Sequence, residues 1–261
     1  MEEYVIEKWV KDQQCIILEN RERAVHYAAE HWISCAHEAI RDHGVFFVAL
    51  SGGATPRAIF ALLTSSPFVE TIPWQQIHFF WSDERAVPPD HVDSNFRTAM
   101  EAGLRSLAIP SAHIHRMIAD RNLEEEAIAY EKEILATLGS HPFDLIMLGV
   151  GEDGHTASLF PTTSALSIHD RLVVANFVPK LNSWRMTFTY SCLNRARNTA
   201  LYLFGESKRE IVQHLFTGAH QPTLYPVQGI ENQHNPPLWI LDAAAAALLP
   251  PLMKNRKNRL H

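Results

Sequence analysis

The sequence predicts an α/β fold: a doubly wound, mostly parallel sheet with helices on both faces. Three observations lead there. The apolar runs at 45–50 and 145–148 show no in–out alternation, as strands buried on both faces do. Segments with apolar residues at helical spacing separate the strand candidates. The runs end in glycine-rich or charged loops rather than in hairpin turns. Alternation of strand and helix closes into a parallel, Rossmann-like sheet.

The first strand is centred on Cys15-Ile16-Ile17-Leu18 within 1–18. Asn20 is placed to cap a helix over 21–41, where Ala24, Ala28, Trp32, Cys35 and Ala39 fall at helical spacing. After Gly44 comes the strand at 45–50. It leads into Ser51-Gly52-Gly53-Ala54-Thr55-Pro56, a tight loop with a hydroxyl residue at the expected N-cap and proline at the first helical position. A helix then runs to 63. A strand at 77–81 ends in the charged loop Ser82-Asp83-Glu84-Arg85-Ala86-Val87-Pro88-Pro89. Ser94 caps a helix over 95–107, and 112–117 forms a short strand. The helix over 123–138 is acidic in its first turn, as the helix dipole favours.

The strand that opens at Asp144 runs into Gly149-Val150-Gly151-Glu152-Asp153-Gly154-His155. Beyond Pro161, strands are expected at 172–178, 185–190, 198–204 and 238–241. Short helices are expected at 194–197, 208–216 (capped by Ser207) and 243–249, and 217–237 is irregular.

The 261 residues, 46% hydrophobic and 20% charged, suit one domain over 1–261, with a basic tail at 250–261 expected to fray. A net charge of -6 carries no general affinity for nucleic acid, so a phosphorylated ligand needs a local positive site. Cys15, Cys35 and Cys192 are odd in number and widely spaced, which points to free thiols and a reducing compartment. Met1-Glu2-Glu3 lacks the basic start of a signal peptide, and no apolar run reaches the ~20 residues of a membrane span. A cytoplasmic protein without a membrane or nucleic-acid partner is expected.

Four post-strand regions carry chemistry. The turn Ser51, Gly52, Gly53, Thr55 offers backbone N–H groups, a helix N-terminus and hydroxyls to a phosphate, or is only a tight connection. Asp83-Glu84-Arg85 is either a solvated charge cluster or part of a site. Asp153 and His155 put a carboxylate beside an imidazole, a usual means of moving protons near neutrality. Arg185 and Lys208 are surface cations unless both face the glycine turn. The stretch Gly149–Gly154 also fits the dinucleotide fingerprint. Glu152 and Asp153 would place two negative charges where the pyrophosphate sits, and Pro161 interrupts the helix that should follow, so that reading is rejected. His113 and His115 put two imidazoles on one strand face but lack a third ligand at suitable spacing, so no metal site is expected.

Taken together, Ala49–Pro56, Trp81–His91 with Asp93-Ser94-Asn95-Phe96-Arg97, Gly149–Pro161 and Arg185-Met186-Thr187 resemble the 6-phosphogluconolactonase family. That family sits in a broader group with the glucosamine-6-phosphate isomerases/deaminases, and the likeness runs from about Val5 to Leu249. It implies an α/β fold, hydrolysis of 6-phospho-D-glucono-1,5-lactone in the oxidative pentose phosphate pathway, a small sugar-phosphate lactone as partner, and no cofactor. For such a reaction His155 is expected to act as general base, with Asp153 setting its tautomer. Arg85 would stabilise the oxyanion or hold phosphate. Ser51, Gly52, Gly53, Thr55, Asp83, Asn95, Arg185 and Lys208 would bind substrate. Ala54 stands where the family carries serine, which leaves the cradle to backbone N–H groups and Thr55. Arg85 and Phe160 replace a tyrosine and a glutamate of the deaminases, which favours the lactonase.

Overall fold

In the computed structural model, which describes residues 6–9, 13–232 and 235–250, the chain alternates strand and helix through most of its length. It runs β1 (Ile6–Trp9), β2 (Gln13–Leu18), α1 (Arg21–His43), β3 (Phe46–Leu50), α2 (Ala54–Leu63), α3 (Phe68–Thr71), β4 (Ile77–Trp81) and β5 (Asp83–Arg85). Then follow α4 (Asn95–Glu101), β6 (Ile114–His115), α5 (Leu123–Leu138), β7 (Leu145–Gly149), β8 (Val173–Val178) and β9 (Ser183–Phe188). Last are α6 (Tyr190–Leu193), β10 (Asn198–Leu203), α7 (Arg209–Thr217) and β11 (Leu238–Asp242). The main sheet has 8 strands in the order β1-β2-β11-β10-β7-β3-β4-β6. Among the described residues of this sheet, only the edge strand β1 pairs antiparallel. Every residue of β3 is buried, so both faces of the sheet centre are covered. The fold class is the one the alternation predicts.

Local chemistry sets most boundaries. The Asn20 carboxamide oxygen accepts from Arg23 N–H at 2.9 Å and starts α1. Gly44 ends it, its N–H donating to Ile40 O. Ala24, Ala28, Trp32, Cys35 and Ala39 are all buried, and the Trp32 ring meets Phe46 of β3 edge-on at 5.1 Å. Helix α5 has the expected bounds. All three cysteines are buried, Cys35 and Cys192 as free thiols, and burial pushes the Cys35 thiol up to about 12. Among the described residues no helix is long and apolar enough to cross a membrane.

Several expectations give way. The loop at 83–85 is a strand. It pairs antiparallel with β9, which pairs with β8, in a second sheet of 3 strands. Its charged residues gain ladder partners that local pattern cannot show. Helix α2 begins one residue before Thr55, with Gly53 at the N-cap and no side-chain cap, so Pro56 is third in the helix rather than first. Helix α4 stops at Glu101, where Thr64 Oγ1 donates to the Ala102 carbonyl at 3.1 Å. Ser207 does not cap α7. Residues 206–208 form a 3-10 turn and α7 starts at Arg209.

His113 lies in a 3-10 turn outside β6, so it shares no strand face with His115. The helical turn expected at 194–197 comes earlier, as α6. Residues 243–249 form turns instead of a helix, with the Asp242 carboxylate accepting the Ala245 N–H at 2.8 Å. Residues 251–261 of the basic tail lie outside the described residues.

Candidate active site

Strands β3 and β7 are neighbours, but the chain leaves them in opposite directions. From β3 it proceeds to β4 and β6 on one side; from β7 it proceeds to β10 and β11 on the other. Such a reversal opens a crevice at the carboxyl ends of the strands. Loops after β3, β4, β7 and β10 all reach it. The crevice has two lobes of about 380 Å³ each. Asp83, Arg85, Gly151, His155, Ala157 and Lys208 line both lobes and so join them.

One lobe holds the glycine turn: Ser51, Gly52, Gly53 and Thr55, with Asn95 and Arg21. The first N–H groups of α2 have no acceptor within their own helix. The other lobe holds Asp153, Lys180, Arg185 and Phe160. Every residue expected in the site therefore lines the crevice, but Arg185 lines the lobe with Asp153, not the glycine lobe.

The imidazole is tightly located. His155 Nδ1 lies 2.5 Å from Asp153 Oδ1, and the ring stacks on Phe160 with centroids 4.0 Å apart at 17°. Asp153 Oδ2 accepts from Lys180 Nζ at 2.7 Å. Burial alone favours the neutral acid, but the bonds from His155 and Lys180 prevail and hold the Asp153 carboxyl well below the usual carboxylate range. An ionised Asp153 can only accept, so Nδ1 carries the proton and Nε2 of the neutral ring keeps its lone pair. Gly151 makes room for this arrangement. A Cβ there would stand 2.1 Å from His155 Nδ1.

Asp83 and Glu84 build the wall. Asp83 Oδ2 accepts from Ser158 Oγ at 2.7 Å, and Oδ1 from Asn95 Nδ2 at 3.2 Å. Asn95 also donates to the Asp83 carbonyl, which sets its side chain over Gly52. A Cβ on Gly52 would lie 1.7 Å from Asn95 Oδ1, so only glycine lets the turn approach. Glu84 is buried and accepts from the N–H groups of Arg85, Asn95 and Phe96 and from Ser94 Oγ, at 2.7 to 3.0 Å. It holds the N-terminus of α4 against β5. Burial raises its carboxyl above the usual value despite those bonds.

Three expected cations come from β5, β9 and the turn before α7. Arg85 and Arg185 face each other across the β5–β9 ladder, and Arg85 Nη1 donates to Asp93 O at 2.6 Å. Burial, and then the Arg85 charge, lower the Arg185 guanidinium below its usual value. Burial likewise lowers the Lys208 ammonium, against the pull of Glu152 and Asp153. Neither forms an ion pair among the described residues, so both are available to an anion.

Sequence reasoning missed two cations. Arg21 is the first residue of α1, where a positive charge opposes the helix dipole; that misplacement was its signal. Lys180 stands on the turn between β8 and β9, and nothing in the linear pattern ties it to Asp153.

Known proteins resemble this chain in sequence and fold. The family model for glucosamine-6-phosphate isomerases/6-phosphogluconolactonase matches residues 19–239. A Synechocystis sp. protein named 6-phosphogluconolactonase is 42% identical over 221 residues, covering 82% of this chain and 89% of its own. One of the same name from Chlamydia pneumoniae is 38% identical over 217 residues, 82% of either chain. The solved structure of 6-phosphogluconolactonase from Trypanosoma cruzi matches with a TM-score of 0.79 at 27% identity, over 90% of this chain and 96% of that one. With the family model spanning most of its length and both sequence relatives above 30% identity, the chain belongs to the glucosamine-6-phosphate isomerase/6-phosphogluconolactonase family.

Proposed function

We propose that the crevice hydrolyses 6-phospho-D-glucono-1,5-lactone to 6-phospho-D-gluconate, a carboxylic ester hydrolysis in the oxidative pentose phosphate pathway. The observation that carries this reading is an imidazole set by a carboxylate at 2.5 Å, in the same crevice as a glycine turn flanked by cations. The names of the relatives agree with it.

The glycine lobe takes the 6-phosphate. Backbone N–H groups at Ser51–Gly53 and the α2 N-terminus, the Thr55 hydroxyl, Lys208 and Arg21 supply donors and positive charge. Anchoring the phosphate there directs the lactone carbonyl toward His155. Nε2 of His155 takes a proton from water as its oxygen bonds to C1. The carbonyl oxygen becomes an oxyanion facing Arg85 and Arg185, whose stabilisation is worth ~3 kcal/mol by comparison with oxyanion-hole donors. Collapse breaks the bond from C1 to the ring oxygen, and the imidazolium returns its proton to that leaving oxygen. Asp153 compensates the imidazolium charge. Asp83 and Asn95, engaged with each other, shape the wall.

The deaminase reading loses support at Phe160. That position, a glutamate in the deaminases, here puts an aromatic ring flat against His155. Release of ammonia from glucosamine 6-phosphate would reinstate it.

The deciding measurement is lactone hydrolysis above the no-enzyme baseline. The parent chain should accelerate it. His155→Ala should lower kcat by about 10²- to 10⁴-fold with little change in KM. A His155→Ala protein that keeps most of its turnover would sink the assignment.

A further inference from the structure

The β8–β9 hairpin delivers more to the crevice than Arg185. Its connection, Pro179–Leu181, is a 3-10 turn closed by Asn182 N–H donating to Pro179 O at 3.0 Å, with Asn182 in the left-handed region at φ 45. This defined turn aims Lys180 back at the loop after β7, where Nζ donates to Asp153 Oδ2. The two oxygens of Asp153 are thus divided between two partners on different elements. Oδ1 serves His155 and Oδ2 serves Lys180.

We propose that Lys180 is a positioning residue for the proton-transfer pair: its ammonium holds the second oxygen of Asp153 and so fixes the carboxylate in the orientation that meets Nδ1 of His155. The inference rests on the reading of His155 as the base. An exposed lysine–aspartate pair adds little to stability, because solvent screens it and the long side chain loses freedom. What it supplies here is direction. A carboxylate held at one oxygen only can rotate about its last bond, and the base then loses its fixed tautomer. With both oxygens engaged, rotation breaks two charge-assisted bonds at once.

The charge of Lys180 matters as well as its reach. The charged groups around the ring are Glu152 and Asp153 from its own loop, Asp83 and Arg85 from β5, Arg185 from β9, Lys208 from the turn before α7, and Lys180. Lys180 is the cation that Asp153 contacts directly besides the imidazole. Neutralising it removes one of the two charge-assisted bonds that hold the carboxylate, so Oδ1 is free to turn away from Nδ1.

The test compares the parent with Lys180→Gln and Lys180→Arg. The first readout is the 15N NMR signature of the His155 ring tautomer, which does not depend on any reaction. The Nδ1–H tautomer should lose its dominance in Lys180→Gln and regain it in Lys180→Arg. The second readout is lactone hydrolysis, in which kcat should fall more than KM changes in Lys180→Gln and recover in Lys180→Arg. A Lys180→Gln ring that keeps the parent's tautomer overturns the proposal. So does a variant whose only defect is a raised KM, since that describes a substrate contact or a distorted hairpin. The two readings fail separately: if His155→Ala keeps its turnover the base assignment falls, whereas the NMR tautomer judges Lys180 alone.

Discussion

Gly151 shows how closely the proton-transfer pair is fitted to the backbone. Its missing side chain is occupied by the His155 ring, and a Cβ would also stand 2.7 Å from Asp153 Oδ1. Gly151→Ala should therefore displace the imidazole while leaving the buried sheet intact. We expect a fall in kcat of ~10²-fold, the usual consequence of misplacing a reacting group by about 1 Å. The thermal midpoint should stay within a few degrees. Activity near the parent level would show that the ring has another place to go. The histidine and aspartate were legible in the sequence as a pair, because a carboxylate and an imidazole two residues apart on a glycine loop is an uncommon arrangement. Lys180 was not, since it lies 27 residues away and only the fold brings it to Asp153.

At the scale of the element, β5 is where sequence and structure part most clearly. Asp83-Glu84-Arg85 carries three charges and no apolar residue, so nothing in its local pattern marks a strand. Its ladder partner β9 arrives from about 100 residues later in the chain. Once paired, the strand turns Glu84 inward, where the carboxylate gathers three backbone N–H groups and a hydroxyl. Glu84→Ala would strand those donors in the interior. The expected loss is about 3 kcal/mol, from desolvated donors without acceptors. Urea unfolding should report it as a lower midpoint, and a variant as stable as the parent would show that water replaces the carboxylate. Since α4 carries Asn95 into the crevice, lactone hydrolysis should weaken in the same variant.

Across the whole molecule, the site occupies the carboxyl ends of the central strands and a cluster of imidazoles the β4–β6 edge of the sheet. His78, near the start of β4, has Nδ1 3.0 Å from His115 Nε2, and its ring stacks on His113 at 3.8 Å. His115 Nδ1 lies 2.6 Å from Glu133 Oε1. Burial, and then the neighbouring His113 and His115, lower the His78 imidazole to about 4; burial lowers His31 to about 4 as well. The unfolded chain binds protons on these rings below 6.5, while the folded chain resists until about 4. Between those values the unfolded state holds more protons, so stability is full above 6.5 and drains away as pH falls toward 4. Urea midpoints measured across that window should fall steadily in the parent and less steeply in His78→Gln. Parallel slopes would remove His78 as a cause.

The sequence by itself determined the class of fold, the main buried strands and the loops that carry the chemistry. Those follow from short-range rules: an unbroken apolar run such as 145–148 must be covered on both faces, and Asn20 beside a periodic segment starts a helix. Tertiary structure alone decided the division of the crevice into two lobes, the placing of Arg185 beside Arg85, and the contacts of Arg21 and Lys180. Each of these depends on which strands lie side by side. Strand order is set by how the separate apolar faces pack together, and no local stretch of chain contains that information.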